Sequence, residues 1–290
     1  MFRIGKGKAL KRGRSERKVR VKKIGFIGLG NMGSAMIGGI LGSGKAAPED
    51  IFGSDHSPQG RARAEELYKI RTTEDNREVA GSADIMFVAV KPQFLDDVLA
   101  EIRDVLPQDL LIVSIVAGRS VSYYQKMLGE KVRLVRLMPN TPALVGAGMT
   151  AACCSPGVSR EEMEEVGDLC RTFGLFETVP ESLFDAVTGV SGSSPAYVFM
   201  MMEAMADAAV LAGMPRAQAY KFVAQAVLGS AKLMLDTGKH PGELKDMVCS
   251  PAGTTIEAVR VLEEMGFRSA VIEGTSACIE KSAQMNASKS

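Results

Sequence analysis

Between residues 23 and about 180, short runs of apolar and β-branched residues alternate with stretches of helical length. The runs read KKIGFIGL, DIFGSD, ADIMFVAV, LLIVSIV, VRLVRLMP and TAACCS, each closed by Gly, Pro or charge. Their hydrophobicity is nearly continuous rather than alternating, which predicts strands buried on both faces. The segments between them, such as 92–103 and 159–173, have the length of covering helices. Residues 23–182 are therefore expected to form a doubly wound α/β unit on a parallel sheet.

After Glu181 the β-rich runs stop and helix punctuation takes over, so residues 183–290 are expected to be all helical. SSPAYVFMMMEAMADAAVLAGMP places Ser194 as an N-cap, Pro195 at the first helical position, and Gly213 with Pro215 as the stop. A second helix is expected from about Pro215 to Gly238, then two or three more ending near Gln284. The helix from Pro195 is apolar nearly all round, with only Glu203 and Asp207 polar in its middle. A domain of about a hundred residues has little core for such a helix, so the pattern predicts a homo-oligomer built on this half. Met200, Met201 and Met202 are expected to fill core.

Composition narrows the class. With 290 residues, 46% hydrophobic and 24% charged, this is the make-up of a globular protein, and no apolar run is long enough for a membrane span. The formal charge of +1 hides a basic start, MFRIGKGKALKRGRSERKVRVKK, with eleven Lys or Arg against one Glu. Residues 1–22 are expected to be a solvated extension outside the fold, with no nucleic-acid partner. The five cysteines form no C-x-x-C pair, and the two histidines, His56 and His240, are too few for a metal cluster or a Ser-His-Asp triad. No metal is expected. An odd cysteine count in small apolar surroundings fits buried thiols and a cytoplasmic location.

The chemistry begins at GFIGLGNMG. Gly28, Gly30 and Gly33 follow a strand and open a helix, the arrangement that brings backbone and a helix N-terminus against a pyrophosphate. A nicotinamide dinucleotide is the expected cofactor. At the end of the second strand Asp55 favours a ribose hydroxyl, as in NADH, whereas Ser54, His56, Arg61 and Arg63 favour the 2′-phosphate of NADPH. The loops AVKPQF (89–94), SIVAG (114–118) and MPNTP (138–142) stand at strand ends on the same edge and are expected to flank the cofactor.

The same opening resembles the β-hydroxyacid dehydrogenases, which use a lysine on the first long helix of their second domain for proton transfer. No lysine lies between Lys131 and Lys221 here. A protonated imine is a more fitting electrophile, because it accepts hydride once it is oriented and its nitrogen is held. SPAGTTI, residues 250–256, supplies hydroxyls for that purpose, although by itself the stretch also reads as a turn in which Thr254 or Thr255 caps a helix.

Five stretches, GFIGLGNMG, AVKP, MPNTP, DAVTGVSGSSPAY and HPGELKDMVCSPAGTTIEAV…GFRSAVIE, together resemble the pyrroline-5-carboxylate reductase family from Lys23 to about Gln284. The resemblance implies a Rossmann domain and a helical dimerisation domain that interlocks with a partner, with decamers common. It implies NAD(P)H-dependent reduction of 1-pyrroline-5-carboxylate to L-proline, the last step of proline biosynthesis, with NADPH preferred and NADH the alternative. Reduction of a related cyclic imine, and a β-hydroxyacid dehydrogenase-like reaction, are the rival readings.

Residue by residue, the resemblance assigns the ring nitrogen to Thr255 and the substrate carboxylate to the loop of Ser250, Gly253 and Thr254, with Glu181 on the substrate side. It assigns the cofactor to Gly28, Leu29, Gly30, Asn31, Met32, Gly33, Ser54, Asn76, Ala89, Val90, Lys91, Pro92, Val116 and Ala117. Met247 stands where some members carry a cofactor-reaching asparagine.

Overall fold

The structure is a computed structural model that describes residues 22–287. The basic extension, apart from Lys22, lies outside the described residues.

The first half runs β1 (Ile24–Ile27), α1 (Asn31–Gly42), β2 (Ile51–Ser54), α2 (Pro58–Tyr68), β3 (Arg71–Thr73), α3 (Asn76–Ser82) and β4 (Ile85–Val88). It continues with α4 (Leu95–Ile102), β5 (Leu111–Ser114), α5 (Val121–Leu128), β6 (Leu134–Met138), β7 (Gly148–Cys154), α6 (Arg160–Cys170) and β8 (Gly174–Thr178). The eight strands form one sheet in the order β3-β2-β1-β4-β5-β6-β7-β8. Chain direction reverses the strand order at β1, which leaves a crevice between the ends of β1 and β4.

Alternate residues of each strand feed two layers. Phe26 and Phe87 lie in register on neighbouring strands and stack at 4.8 Å in the core beneath α1 and α6. Ile27, Met86 and Val88 point the other way, into the core beneath α3, α4 and α5. Burial on both faces is why these strands read as continuous apolar runs.

Two departures from the sequence expectation concern the sheet. The short edge strand β3 and the strand β8 carry no such run: β3 reads RTT and is only partly covered, and β8 exposes three of its five positions. The sheet is also not wholly parallel, because β7 runs antiparallel to β6. Residues 139–147 are too few for a crossover, which takes a dozen or more, so the chain must turn back on itself.

The second half comprises α7 (Phe184–Val187), α8 (Ser194–Leu211), α9 (Arg216–Thr237), α10 (Pro241–Val248), α11 (Thr254–Glu264) and α12 (Phe267–Ala287). A π-helical turn, Thr188–Gly192, joins α7 to α8. That turn moves the predicted start of α8 by one residue. The Ser193 N–H donates to the Thr188 carbonyl at 2.9 Å, so Ser193 occupies the cap position in helical conformation, and neither it nor Ser194 caps through its side chain.

The helices of this half bury little in the chain alone. Among the described residues of this half, Ala206, Ala219 and Val223 form the one buried cluster, between α8 and α9. Phe199, Met200, Leu211, Phe222 and Leu235 are exposed, Leu211 by 91%. Met200 therefore does not fill core within the chain, contrary to expectation. The apolar circumference of α8 exceeds what α9 alone can cover.

Among the described residues all five cysteines are free, but only Cys170 is fully buried and Cys154 is exposed. Burial pushes the Cys153 and Cys170 thiols up to about 12, which keeps them protonated and inert. No described group of His, Cys, Asp and Glu is arranged to hold a metal, and no described helix is long and apolar enough to cross a membrane.

Candidate functional site

The crevice at the end of β1 is built by the glycine loop. Gly28 has φ +98°, a conformation open to glycine, and a Cβ there would lie 2.6 Å from the Ala89 carbonyl oxygen. A Cβ on Gly33 would lie 2.3 Å from the Gly28 carbonyl, so this glycine lets α1 dock on its own strand. Gly30 differs from both, since a Cβ there would meet nothing within 4 Å. Its openness faces space in which a ligand's phosphates can approach the backbone. No side chain caps α1 and no acid occupies its first turn, so the helix presents free N–H groups and positive dipole to that space. The cradle fits a dinucleotide pyrophosphate.

The flanking loops are tied to this cradle by backbone bonds. The Gly28 N–H donates to the Ser54 carbonyl at 2.8 Å, Ala89 N–H to Ile27 at 2.7 Å, and Ile115 N–H to Val88 at 3.1 Å. Loops 28–33, 89–92 and 115–118 thus stand side by side. Lys91 and Ala117 are exposed, and Val116 is buried. Behind the third loop, the Ser114 hydroxyl accepts from the Val116 N–H at 3.2 Å and bonds the hydroxyl of fully buried Tyr124. Burial raises the Tyr124 pKa, so its phenol stays neutral and serves as a strut.

Two residues assigned to the cofactor have their side chains turned inward. Ser54 is fully buried and donates to Asn76 Oδ1 at 2.7 Å, while Asn76 Nδ2 donates to Glu101 at 2.7 Å. Asp55 is similarly engaged: its carboxylate accepts from the Leu29 N–H and the Ser57 N–H, each at 2.8 Å. Arg61 is spent on the Asp55 and His56 carbonyls, which leaves Arg63 as the exposed cation of the group.

MPNTP also acquires a task that its sequence does not announce. Asn140 Nδ2 donates to the Ser191 carbonyl at 3.3 Å and to its hydroxyl at 3.2 Å, and Oδ1 accepts from Met149 N–H at 2.8 Å. Asn140 fastens the end of β6 to the π turn of the helical half.

Glu181 lies at the same junction. Its Oε1 accepts from the Val121 N–H at 2.8 Å and from Arg136 Nη1 at 2.7 Å, and the Arg136 guanidinium lies 4.3 Å over the Phe184 ring. A carboxylate on the first turn of α5 is favourably placed against the helix dipole. Glu181→Ala would leave buried Arg136 and the Val121 N–H without this partner. Because Glu181 is a third exposed, the expected loss is about 2 kcal/mol, below the full penalty for a broken buried pair. Thermal unfolding should show it as a fall in Tm of roughly 4–8 °C.

SPAGTTI closes the list of candidates. Gly253, not a threonine, is the N-cap of α11, and no side chain caps the helix. Thr254 and Thr255 are its first two residues, so the capping alternative for their hydroxyls does not hold. The turn is drawn tight by the Gly253 N–H donating to the Ser250 carbonyl at 3.0 Å, with Ala252 at φ +54°. A non-glycine residue in that region costs about 1 kcal/mol, and such strain gathers where a loop has a task. The loop carries uncapped N–H groups, two hydroxyls and the exposed Ser250 side chain, chemistry suited to a carboxylate and a neighbouring nitrogen.

Within the chain, Thr255 is not joined to the crevice. Among the described residues the hydrogen bonds and ion pairs made by α9, α10 and α11 stay inside the helical half, such as Arg216–Asp207 and Arg260–Glu257. Asp207, one of two acids in the middle of α8, is thereby occupied, and α8 carries no lysine.

Residues 181–285 match the family described as pyrroline-5-carboxylate reductase dimerisation, and residues 23–118 match that described as NADP oxidoreductase, coenzyme F420-dependent. The pyrroline-5-carboxylate reductase of Escherichia coli K12 is 55% identical over 267 residues, covering 92% of this chain and 99% of that protein. That of Arabidopsis thaliana is 37% identical, covering 92% and 96%. Among solved structures, a pyrroline-5-carboxylate reductase from Coxiella burnetii superposes with TM-score 0.86 at 33% identity, covering 91% and 98%. The Plasmodium falciparum pyrroline carboxylate reductase with NADP bound gives 0.83 at 32%, covering 91% and 98%.

Proposed function

This chain belongs to the pyrroline-5-carboxylate reductase family, and we propose that it reduces 1-pyrroline-5-carboxylate to L-proline in two steps of geometry, a cofactor crevice and a hydroxyl grip. It is an NAD(P)H-dependent oxidoreductase. The single observation that carries the substrate reading is the uncapped start of α11, where Thr254 and Thr255 have hydroxyls that no capping bond consumes.

The reduced nicotinamide, when bound, supplies the hydride. The chain's residues do the rest. Gly28, Gly30 and Gly33, with the N-terminus of α1, bind the pyrophosphate, and loops 89–92 and 116–117 confine the far end of the cofactor. Ser250, Gly253 and Thr254 hold the substrate carboxylate. The Thr255 hydroxyl steadies the protonated ring nitrogen, so that the imine carbon faces the hydride donor without a lysine to act as acid. Glu181 acts from the substrate side by anchoring α5 and β6.

NADPH is the proposed cofactor. It is supported by the match of residues 23–118 to an NADP oxidoreductase family and by the engagement of Asp55 with Leu29 and Ser57, beside which His56 and Arg63 are exposed. The proposed assembly is a homodimer through the helical half, from which larger rings such as decamers can be built. The support is the exposed apolar surface of α8 and α9, of a kind that marks an interface.

Purified protein mixed with 1-pyrroline-5-carboxylate and NADPH should oxidise the cofactor and form proline, with kcat/KM at least about ten-fold, or 1.4 kcal/mol, better than with NADH. Absence of turnover with either cofactor would refute the activity; a preference for NADH would refute only the cofactor choice.

A further inference from the structure

We propose that Arg119 is a positioning residue for the cofactor crevice: with Asp96 and Tyr123 it clamps the loop after β4 to the loop after β5. The proposal rests on the reading of that crevice as the dinucleotide site.

The need for a clamp follows from the strand ends. The Ile115 N–H donating to the Val88 carbonyl at 3.1 Å continues the β4–β5 ladder past the strand end, and beyond it, among the described residues, no backbone hydrogen bond joins the two loops. The chain enters the turn of residues 91–94 on one side and rounds Gly118, at φ +72°, on the other. Side chains must hold the gap between them at a set width.

Arg119 is placed to do that. It is 5% exposed, and its guanidinium lies 4.6 Å from the centre of the Tyr123 ring. One nitrogen, Nη2, stands 3.4 Å from Asp96 Oδ1, and Nη1 stands 3.4 Å from the carbonyl of Gly118. The Tyr123 hydroxyl donates to the same Asp96 oxygen. Asp96 is the second residue of α4, directly after the turn that carries Lys91 and Pro92. One carboxylate on the β4 side is thus held by two side chains from the β5 side.

The arrangement is not the cheapest packing. Arg119 Nε is buried with no hydrogen-bond partner, so a desolvated cation is kept with part of its donor set unmet. Buried ionic groups of this kind contribute little net stability and are better explained by what they hold in place. What they hold here is the spacing of the two loops that must close on the same ligand.

The experiment uses the full-length enzyme and measures KM for NADPH and KM for the imine separately in wild type, Arg119→Met, Asp96→Ala and the double variant. Either single change should raise the NADPH KM roughly ten-fold, short of the hundred-fold that a full ångström of misplacement costs, with the imine KM within about two-fold. The double variant should be no worse than the poorer single one, since both remove one link. Equal rises in both KM values, or an unchanged NADPH KM in Asp96→Ala, would overturn the clamp. Asp96 is 59% exposed, so its variant keeps the fold and decides the matter even where Arg119→Met does not fold. NADPH fluorescence titration separates the two levels: wild type that binds no dinucleotide defeats the crevice reading, whereas normal binding in every variant defeats the clamp alone.

Discussion

Thr255→Ala is expected to lower kcat by about a hundred-fold or more while leaving the NADPH KM within about two-fold, because one oriented polar group in a reacting site commonly contributes that much. The argument begins with the helix end. Gly253 is the cap of α11 and makes no side-chain bond, so the hydroxyl of Thr255 in the first turn has no structural duty to lose. Removing it should cost the fold little, and a drop in turnover with unchanged Tm would point to the reaction itself. Thr255→Ser keeps the oxygen and should recover most of the rate. Equal kcat in wild type and Thr255→Ala would end the proposed role. The expected independence of cofactor binding has its own reason: in the chain, Thr255 and the glycine loop stand on different halves, and their bonds do not connect.

The second large effect concerns the glycine loop, where two chemically identical substitutions should fail differently. Gly33→Ala drives a methyl group to 2.3 Å from the Gly28 carbonyl oxygen, a backbone atom that cannot swing away. Either α1 lifts or the loop deforms, at a cost of about 1–3 kcal/mol or somewhat more, with cofactor affinity lost as the cradle opens. Gly30→Ala meets nothing within 4 Å and should fold normally. Its methyl group instead occupies the space that the phosphates approach, so the NADPH KM should rise while Tm stays near wild type. Urea unfolding and NADPH titration on the two proteins would separate packing from ligand approach. The same behaviour in both variants would remove the distinction.

Much of the first half was legible because burial on both faces writes itself into composition. ADIMFVAV and LLIVSIV had to be central strands, and β4 and β5 are. The strands that escaped, β3 and β8, lie at the two edges of the sheet, where one side lacks a neighbour and the apolar signal fades. The reversal at β7 escaped for another reason. Hydrophobic runs carry no direction, and only the short link of residues 139–147 held the clue.

The candidate site was legible unevenly. Glycine spacing marks a phosphate cradle because only glycine permits those backbone approaches, and the structure gives each of the three a different steric reason. Residue type was a poorer guide to side-chain direction. Ser54 and Asn76 are polar residues at strand and helix ends, yet they bond each other in the interior. Glu181 spends its carboxylate on Arg136 and α5, and Asn140 on the π turn. The cluster of Arg119, Tyr123 and Asp96 belongs to no motif, and Asp96 comes from another loop more than twenty residues earlier.

By itself the sequence determined the class of each half, the glycine cradle, the absence of a lysine on α8, and the hydroxyls of residues 254 and 255. These are properties of local pattern, where period, backbone freedom and chemical type are set by neighbours a few residues away. Only the tertiary structure decided which polar groups are free and which are consumed, and that Arg119 spans two loops. Such outcomes depend on pairings across tens of residues, and a hydrogen-bonding group has no fixed partner until the fold brings one within about 3 Å.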